Sequence, residues 1–194
     1  MVKFHGLNKI QTAVFISGAG SNLKNLIKFS LKKRSPIEIK LVISDNSKAK
    51  GLVYPKKYKI DYKIYNFKRK YTAENNIIKV LKKKKIKLIC LAGFMKILTK
   101  RFIQKFNGKI LNIHPSLLPN YKGLNTHYRA IKNNEKFSGC TIHYVNAKLD
   151  SGKIILQKKV RIKKNDSPKT LAKKILKQEH ILYPKAILIV SANL

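Results

Sequence analysis

Residues 10–33 read Ile10-Gln-Thr-Ala-Val-Phe-Ile-Ser-Gly-Ala-Gly-Ser-Asn-Leu-Lys-Asn-Leu-Ile-Lys-Phe-Ser-Leu-Lys-Lys33, and the fold follows from how they are parsed. A short run rich in branched apolar residues ends at a Gly-Ala-Gly turn, and apolar residues at helical spacing resume at Leu23. Strand, glycine loop, helix is the parse that fits. Gly18 and Gly20 let the backbone turn tightly, and Ser21 or Asn22 can cap the helix. A helix start with open amides is an anion seat, with phosphate its usual guest. The loop lacks the Lys-Ser/Thr ending of a nucleotide P-loop. It also lacks the third glycine of the dinucleotide fingerprint, where Leu23 stands instead.

The same alternation continues outward. An apolar strand over 37–44 ends at Asp45, which reads as a turn former with Asn46 and Ser47 rather than as a ribose-binding acid. A helix over 47–57, a strand over 62–65, a helix over 72–84, a buried strand over 86–91 and a helix over 98–106 follow. Helices between successive strands imply parallel pairing. The expectation is α/β: a single-domain, Rossmann-like open twisted sheet over residues 1–194, mostly parallel, with helices on both faces. Strand carboxyl ends are where such sheets bind ligands, so Phe94, Met95, Ile97 and Leu98 can line a pocket for a flat ring, or simply pack the core.

One further stretch stands out, Ile110-Leu-Asn-Ile-His-Pro-Ser-Leu-Leu-Pro119. In an extended chain residues i and i+2 share a face, so Asn112 and His114 leave a strand side by side before two prolines turn the backbone away. An amide and an imidazole together can stabilise a developing oxyanion and move protons. A capping amide and a satisfied core histidine fit the spacing equally well. Downstream, 126–133 reads as a helix, 140–145 as a strand with Thr141 and His143 on one face, and 148–152 as a turn carrying Asp150.

Composition narrows the partners. With 44 Lys and Arg against 8 Asp and Glu the formal charge is +36. The lysines are spread along the whole chain, with no zinc-ligand spacing and no aromatic RNA-binding signature. A solvated basic surface that attracts anionic substrates is the reading adopted, and no nucleic-acid partner is expected. Cys90 and Cys140, each in an apolar segment, read as small buried hydrophobes of a reduced compartment. The amino terminus has no secretory apolar core, and no window of about 18 apolar residues offers a membrane span, so a cytoplasmic location is expected.

Taken together, four segments resemble the formyltransferases that use 10-formyltetrahydrofolate, and among them the branch acting on glycinamide ribonucleotide. They are Ile16-Ser-Gly-Ala-Gly-Ser-Asn-Leu23; Leu91-Ala-Gly-Phe-Met-Lys-Ile-Leu98; Asn112-Ile-His-Pro-Ser-Leu-Leu-Pro119 with Lys122-Gly-Leu-Asn-Thr-His127; and Gly139-Cys-Thr-Ile-His-Tyr-Val145 with Leu149-Asp-Ser-Gly152. Gln178-Glu-His-Ile-Leu-Tyr-Pro184 fits the last helix of that family. The resemblance implies Asn112, His114 and Asp150 as the catalytic trio, Gly20, Ser21 and Asn22 as the phosphate seat, and Glu179 near the glycinamide amine. It further implies cofactor contacts from Met95, Lys96, Ile97, Leu98, Asn112 and a basic residue at Lys70, with Arg69 as neighbour. The activity implied is formyl transfer from 10-formyltetrahydrofolate as co-substrate to the amine of N1-(5-phospho-D-ribosyl)glycinamide, without a metal, by a monomer or homodimer.

Three departures from the family pattern stand out: Ala19 replaces the usual Asn, Lys96 a frequent Arg, and Ser151 a glycine after Asp150, which is expected to restrict that turn. Methionyl-tRNA formyltransferase and formyltetrahydrofolate deformylase share the central motif but normally carry a further domain, for which 194 residues leave no space. A non-catalytic, nucleic-acid-binding module on the same architecture is the remaining alternative.

Overall fold

The computed structural model describes residues 9–192. The amino-terminal segment read above as free of a secretory leader falls almost wholly outside the described residues. Two compact units emerge, Met1–Ile110 with Ile187–Leu194, and Leu111–Ala186.

In the first unit, β1 (Ile10–Ile16) buries Ala13, Val14, Phe15 and Ile16 completely. A strand covered on both faces reads as an unbroken apolar run, and parallel pairing follows from that coverage. β1 pairs in parallel with β2 (Ile37–Ser44), and β2 pairs in parallel with the short β3 (Tyr62–Ile64). On its other side β1 pairs in parallel with β4 (Leu88–Leu91). The helices are α1 (Ser21–Ser30), α2 (Val53–Lys57), α3 (Lys70–Lys83) and α4 (Lys100–Lys105). The helix expected over 47–57 begins late, with a 3₁₀ turn at Lys50–Leu52 ahead of α2. The expected cap of α1 is corrected: Gly20 holds the N-cap position at φ 72°, and neither Ser21 nor Asn22 caps it. Left-handed backbone at Gly20 starts the helix one residue earlier, which puts both side chains inside its first turn.

β5 (Lys109–His114) enters the second unit, where it pairs antiparallel with β6 (Phe137–Tyr144), itself antiparallel to β7 (Ile154–Arg161). The strands follow the order β3-β2-β1-β4-β5-β6-β7 in a seven-stranded, mostly parallel sheet. α5 (Thr126–Lys132) and the long α6 (Pro168–Ser191) complete this unit's helices. Tyr183 of α6 is fully buried, and its hydroxyl donates to the Leu111 carbonyl at 3.2 Å. α6 starts on a reciprocal cap: the Ser167 hydroxyl accepts from the Thr170 amide, and the Thr170 hydroxyl from the Ser167 amide. Pro168 follows at the first helical position, where a missing amide costs nothing. Cys90 and Cys140 are buried, and neither is in a disulfide among the described residues.

Candidate active site

β5 carries Asn112 and His114 on one side, while Leu111 and Ile113 are buried on the other. The antiparallel register sets His143 opposite Asn112 and Thr141 opposite His114. Thr141 fixes the chain as it leaves β5: its hydroxyl donates to the Ser116 carbonyl at 2.6 Å and accepts from the Leu118 amide at 3.1 Å. Asp150 arrives from the turn after β6 at φ 44°, a left-handed conformation that short polar side chains tolerate best. The strain expected at Ser151 therefore falls one residue earlier. The Ser151 hydroxyl instead supports the turn through Asn146 and the Lys148 carbonyl. Gly152 is obligatory because a Cβ there would lie 1.7 Å from the Tyr144 carbonyl oxygen.

The three groups meet. Asp150 Oδ2 lies 3.3 Å from His114 Nδ1 and accepts from the Gly123 amide at 2.9 Å. Asp150 Oδ1 accepts from Asn112 Nδ2 at 3.4 Å and lies 3.7 Å from His143 Nε2. The carboxylate side chain is only 8% exposed, and so many donors around it are what make a buried charge tenable. His143 Nδ1 sits 2.8 Å from the Tyr144 carbonyl, which can only accept, so Nδ1 carries the proton of the neutral ring. Nε2 is then free to accept from Asn112 Nδ2 at 3.2 Å. Both amide hydrogens of Asn112 thus have acceptors in the protein.

Burial dominates the protonation of His114 and holds its pKa below the ordinary 6.5, against the upward pull of the Tyr121 carbonyl and the Asp150 carboxylate. The field of Asp150 acts upward on His114, but desolvation outweighs it. His114 Nε2 lies 2.9 Å from the Tyr121 carbonyl, so each ring nitrogen faces an acceptor. Either neutral tautomer leaves one lone pair against an oxygen, and protonation satisfies both. The ring is consequently placed to gain a proton during a reaction rather than to hold one at rest. Burial also pushes Asp150 up, but the His143 ring beside it, the Gly123 amide and the positive charge that either imidazole carries when protonated bring it below the ordinary carboxylate value.

Glu179 is buried on α6, and its charge adds to the burial that pushes the Cys140 thiol up to about 12. In the first unit, the glycine loop is built around close backbone contact: a Cβ on Gly20 would lie 2.7 Å from the Gly51 Cα, and the Gly51 amide donates to the Gly18 carbonyl at 2.9 Å. The segment expected to contact the cofactor splits. Met95, Lys96 and Ile97 are exposed, whereas Leu98 is buried in the core. Phe94 stacks edge-on against Phe15 and Phe67, each at 5.4 Å. Arg69, rather than Lys70, lines a cavity of about 310 Å³ with Tyr65, Lys68, Thr72 and Asn76.

Sequence reasoning missed His143, Tyr121, Gly123, Gly51 and Ser17 as parts of these sites. His143 had a signal, since it shares a strand face with Thr141 and any antiparallel pairing in this register sets it against Asn112. Tyr121, Gly123 and Gly51 act through backbone position, which side-chain chemistry does not betray, whereas Ser17 acts through a hydroxyl whose partners come from distant segments.

The Formyl transferase family model matches residues 10–187. Phosphoribosylglycinamide formyltransferase of Haemophilus influenzae is 43% identical over 178 residues, 90% of this chain and 84% of that protein. The human trifunctional purine biosynthetic protein adenosine-3 is 40% identical over 188 residues; the match takes in 95% of this chain but 19% of the human protein's length. Among solved structures, phosphoribosylglycinamide formyltransferase from Brucella melitensis superposes with a TM-score of 0.90 at 40% identity, covering 95% of this chain and 97% of that one. Glycinamide ribonucleotide transformylase 1 from Symbiobacterium toebii gives 0.92 at 34% identity, covering 100% and 92%. A fold, a side-chain cluster and a family match that all agree place this chain in the formyl transferase family.

Proposed function

We propose that this protein transfers the formyl group of 10-formyltetrahydrofolate to the amine of N1-(5-phospho-D-ribosyl)glycinamide, a step of purine (IMP) biosynthesis. The observation that carries the reading is the contact of one buried carboxylate, Asp150, with both Asn112 and His114. The names of the relatives above support the choice of substrates, and the whole chain is read as one formyltransferase domain working in the cytoplasm as a monomer or homodimer.

The chemistry asked of the site is attack by a neutral amine on the formyl carbon at N10. A tetrahedral intermediate forms, negative on oxygen and positive on nitrogen, and collapse requires a proton to move from the attacking amine to the leaving N10. Asn112 would stabilise the oxygen by turning one amide hydrogen to it from its longer contact, the 3.4 Å bond to Asp150. His143 keeps the other hydrogen and with it the orientation of the amide. His114, taking up a proton from solvent as the oxygen becomes negative, would complete the oxyanion site by turning its Nε2 hydrogen from the Tyr121 carbonyl to that oxygen while Asp150 holds Nδ1. Asp150, anionic throughout, would hold the water that relays the proton.

The phosphate would rest on the amides at the start of α1, from Gly20 to Asn22, with Glu179 meeting the glycinamide amine. The folate would lie on Met95, Ile97 and the backbone of 95–98, with a basic contact from Lys70 or Arg69. The deciding experiment is a formyl-transfer assay with both substrates, comparing the natural protein with Asp150→Asn. Loss of general acid–base relay predicts a fall in kcat of about a hundredfold or more. An unaltered kcat in a folded variant would remove Asp150 from the mechanism.

A further inference from the structure

Asp45, read from the sequence as a turn former, occupies a different position in the structure. Its carboxylate, 8% exposed at the end of β2, accepts from the Ser17 hydroxyl at 2.5 Å. The same hydroxyl accepts from the Met95 amide at 2.8 Å. Ser17 is the last residue before the glycine loop, and Met95 opens the segment assigned to the folate. The Ser17 amide also donates to the Gly93 carbonyl at 3.0 Å, and Asn46 Nδ2 donates to the Ser17 carbonyl at 3.2 Å. Lys96 Nζ stands 3.7 Å from the second oxygen of Asp45. Other acids of the chain serve different ends: Glu38 and Asp166 pair with lysines, and Glu74 caps α4 through Thr99.

We infer that Asp45 is a positioning residue that joins the phosphate loop and the folate segment through Ser17, so that the seats of the two substrates are set together. The inference rests on the assignment of those two loops under the proposed function. Its physical basis is a charge-assisted hydrogen bond, stronger than a neutral one and held away from water. Because Ser17 both donates and accepts, moving its hydroxyl disturbs both loops at once. Lys96 belongs to the same device: its ammonium neutralises Asp45, so its effect on folate passes through the loop instead of a direct contact.

The test is steady-state kinetics on Ser17→Ala, Ser17→Thr, Asp45→Asn, Asp45→Ala and Lys96→Met, with Tm recorded for each. Ser17→Ala and Asp45→Ala are expected to raise KM for both substrates about tenfold while kcat stays within about twofold. Ser17→Thr and Asp45→Asn, which keep a hydroxyl and an acceptor, should recover most of that loss even if the alanine variants fold poorly. The effect of Lys96→Met should largely vanish in the Asp45→Asn background. A change in only one KM, a fall in kcat alone, no change at all, or additive effects of Lys96 and Asp45 would overturn the inference. Calorimetric binding of inorganic phosphate and of tetrahydrofolate, each in the presence and absence of the other, gives a readout independent of turnover. A natural protein that binds both without forming formyl product would defeat the proposed reaction, and the coupling is then read from the same calorimetry on Ser17→Ala: weaker binding of both ligands supports it, and weakening of neither or of only one overturns it.

Discussion

The glycine-loop region of the first unit and the Asn112–His114–Asp150 cluster of the second are built from opposite materials. Around Gly20 the working surface is main chain: a left-handed glycine, its approach to Gly51, and the amides of the first turn of α1. Around Asp150 it is side-chain atoms, buried and lying 3.2–3.7 Å from one another. The first kind of site tolerates side-chain exchange as long as the backbone path survives. That is why Ala19 and Lys96 can differ from the family pattern without removing a required group. The second kind tolerates almost no exchange, because each atom has a partner that would be left unpaired in a dry setting.

The sharpest way to break this contrast is Asn112→Ala. Loss of an oxyanion donor is expected to cost about a hundredfold to a thousandfold in kcat, with KM for the phosphorylated amine nearly unchanged. A rise in KM with intact kcat would show that the amide only binds. On the other side, Gly20→Ala should cost about 2 kcal/mol of stability in urea unfolding, since a Cβ there meets both a left-handed backbone and the Gly51 Cα. Ala19→Asn should cost almost nothing by the same assay. A severe loss there would mean that loop side chains matter after all.

Acid provides a subtler probe. His114, His127 and His180 are all held by burial below their ordinary 6.5. The unfolded chain therefore binds more protons than the native one between those lowered values and 6.5. Their contribution is complete above about pH 6.5 and declines as pH falls below it, so Tm should drop progressively from pH 7 to pH 5. Asp150 works in the same sense at lower pH: held low, it supports the fold until the pH falls below the ordinary carboxylate value of 3.8. A flat Tm between pH 7 and pH 5 would contradict the buried neutral histidines. The smallest effect expected is remote from both regions: Ser167→Ala should remove about 1 kcal/mol by uncapping α6, with kcat and both KM values intact.

Much of this was legible in the chain itself. Apolar runs such as residues 13–16 and 41–43 named their strands because burial on both faces leaves no polar alternation there. The spacing of Asn112 and His114 announced a shared face, since the period of an extended chain is two. Boundaries were less legible: the α1 cap fell to Gly20, whose φ of 72° depends on Gly51 lying against it across the loop.

Local periodicity and residue chemistry thus determined the α/β alternation, the buried thiols, the glycine loop and the shared face of Asn112 and His114, while the family resemblance added Asp150 to them. Only the tertiary structure decided that His143 would hold the Asn112 amide, that the Tyr121 carbonyl and burial would govern His114, and that Asp45 would reach Ser17. The reason is physical. Periodicity is a property of neighbours along the chain, whereas register, desolvation and the partner of a hydrogen bond are properties of residues brought together from far apart in it. A sequence can name the groups that meet, but the charge state each adopts depends on the company the fold provides.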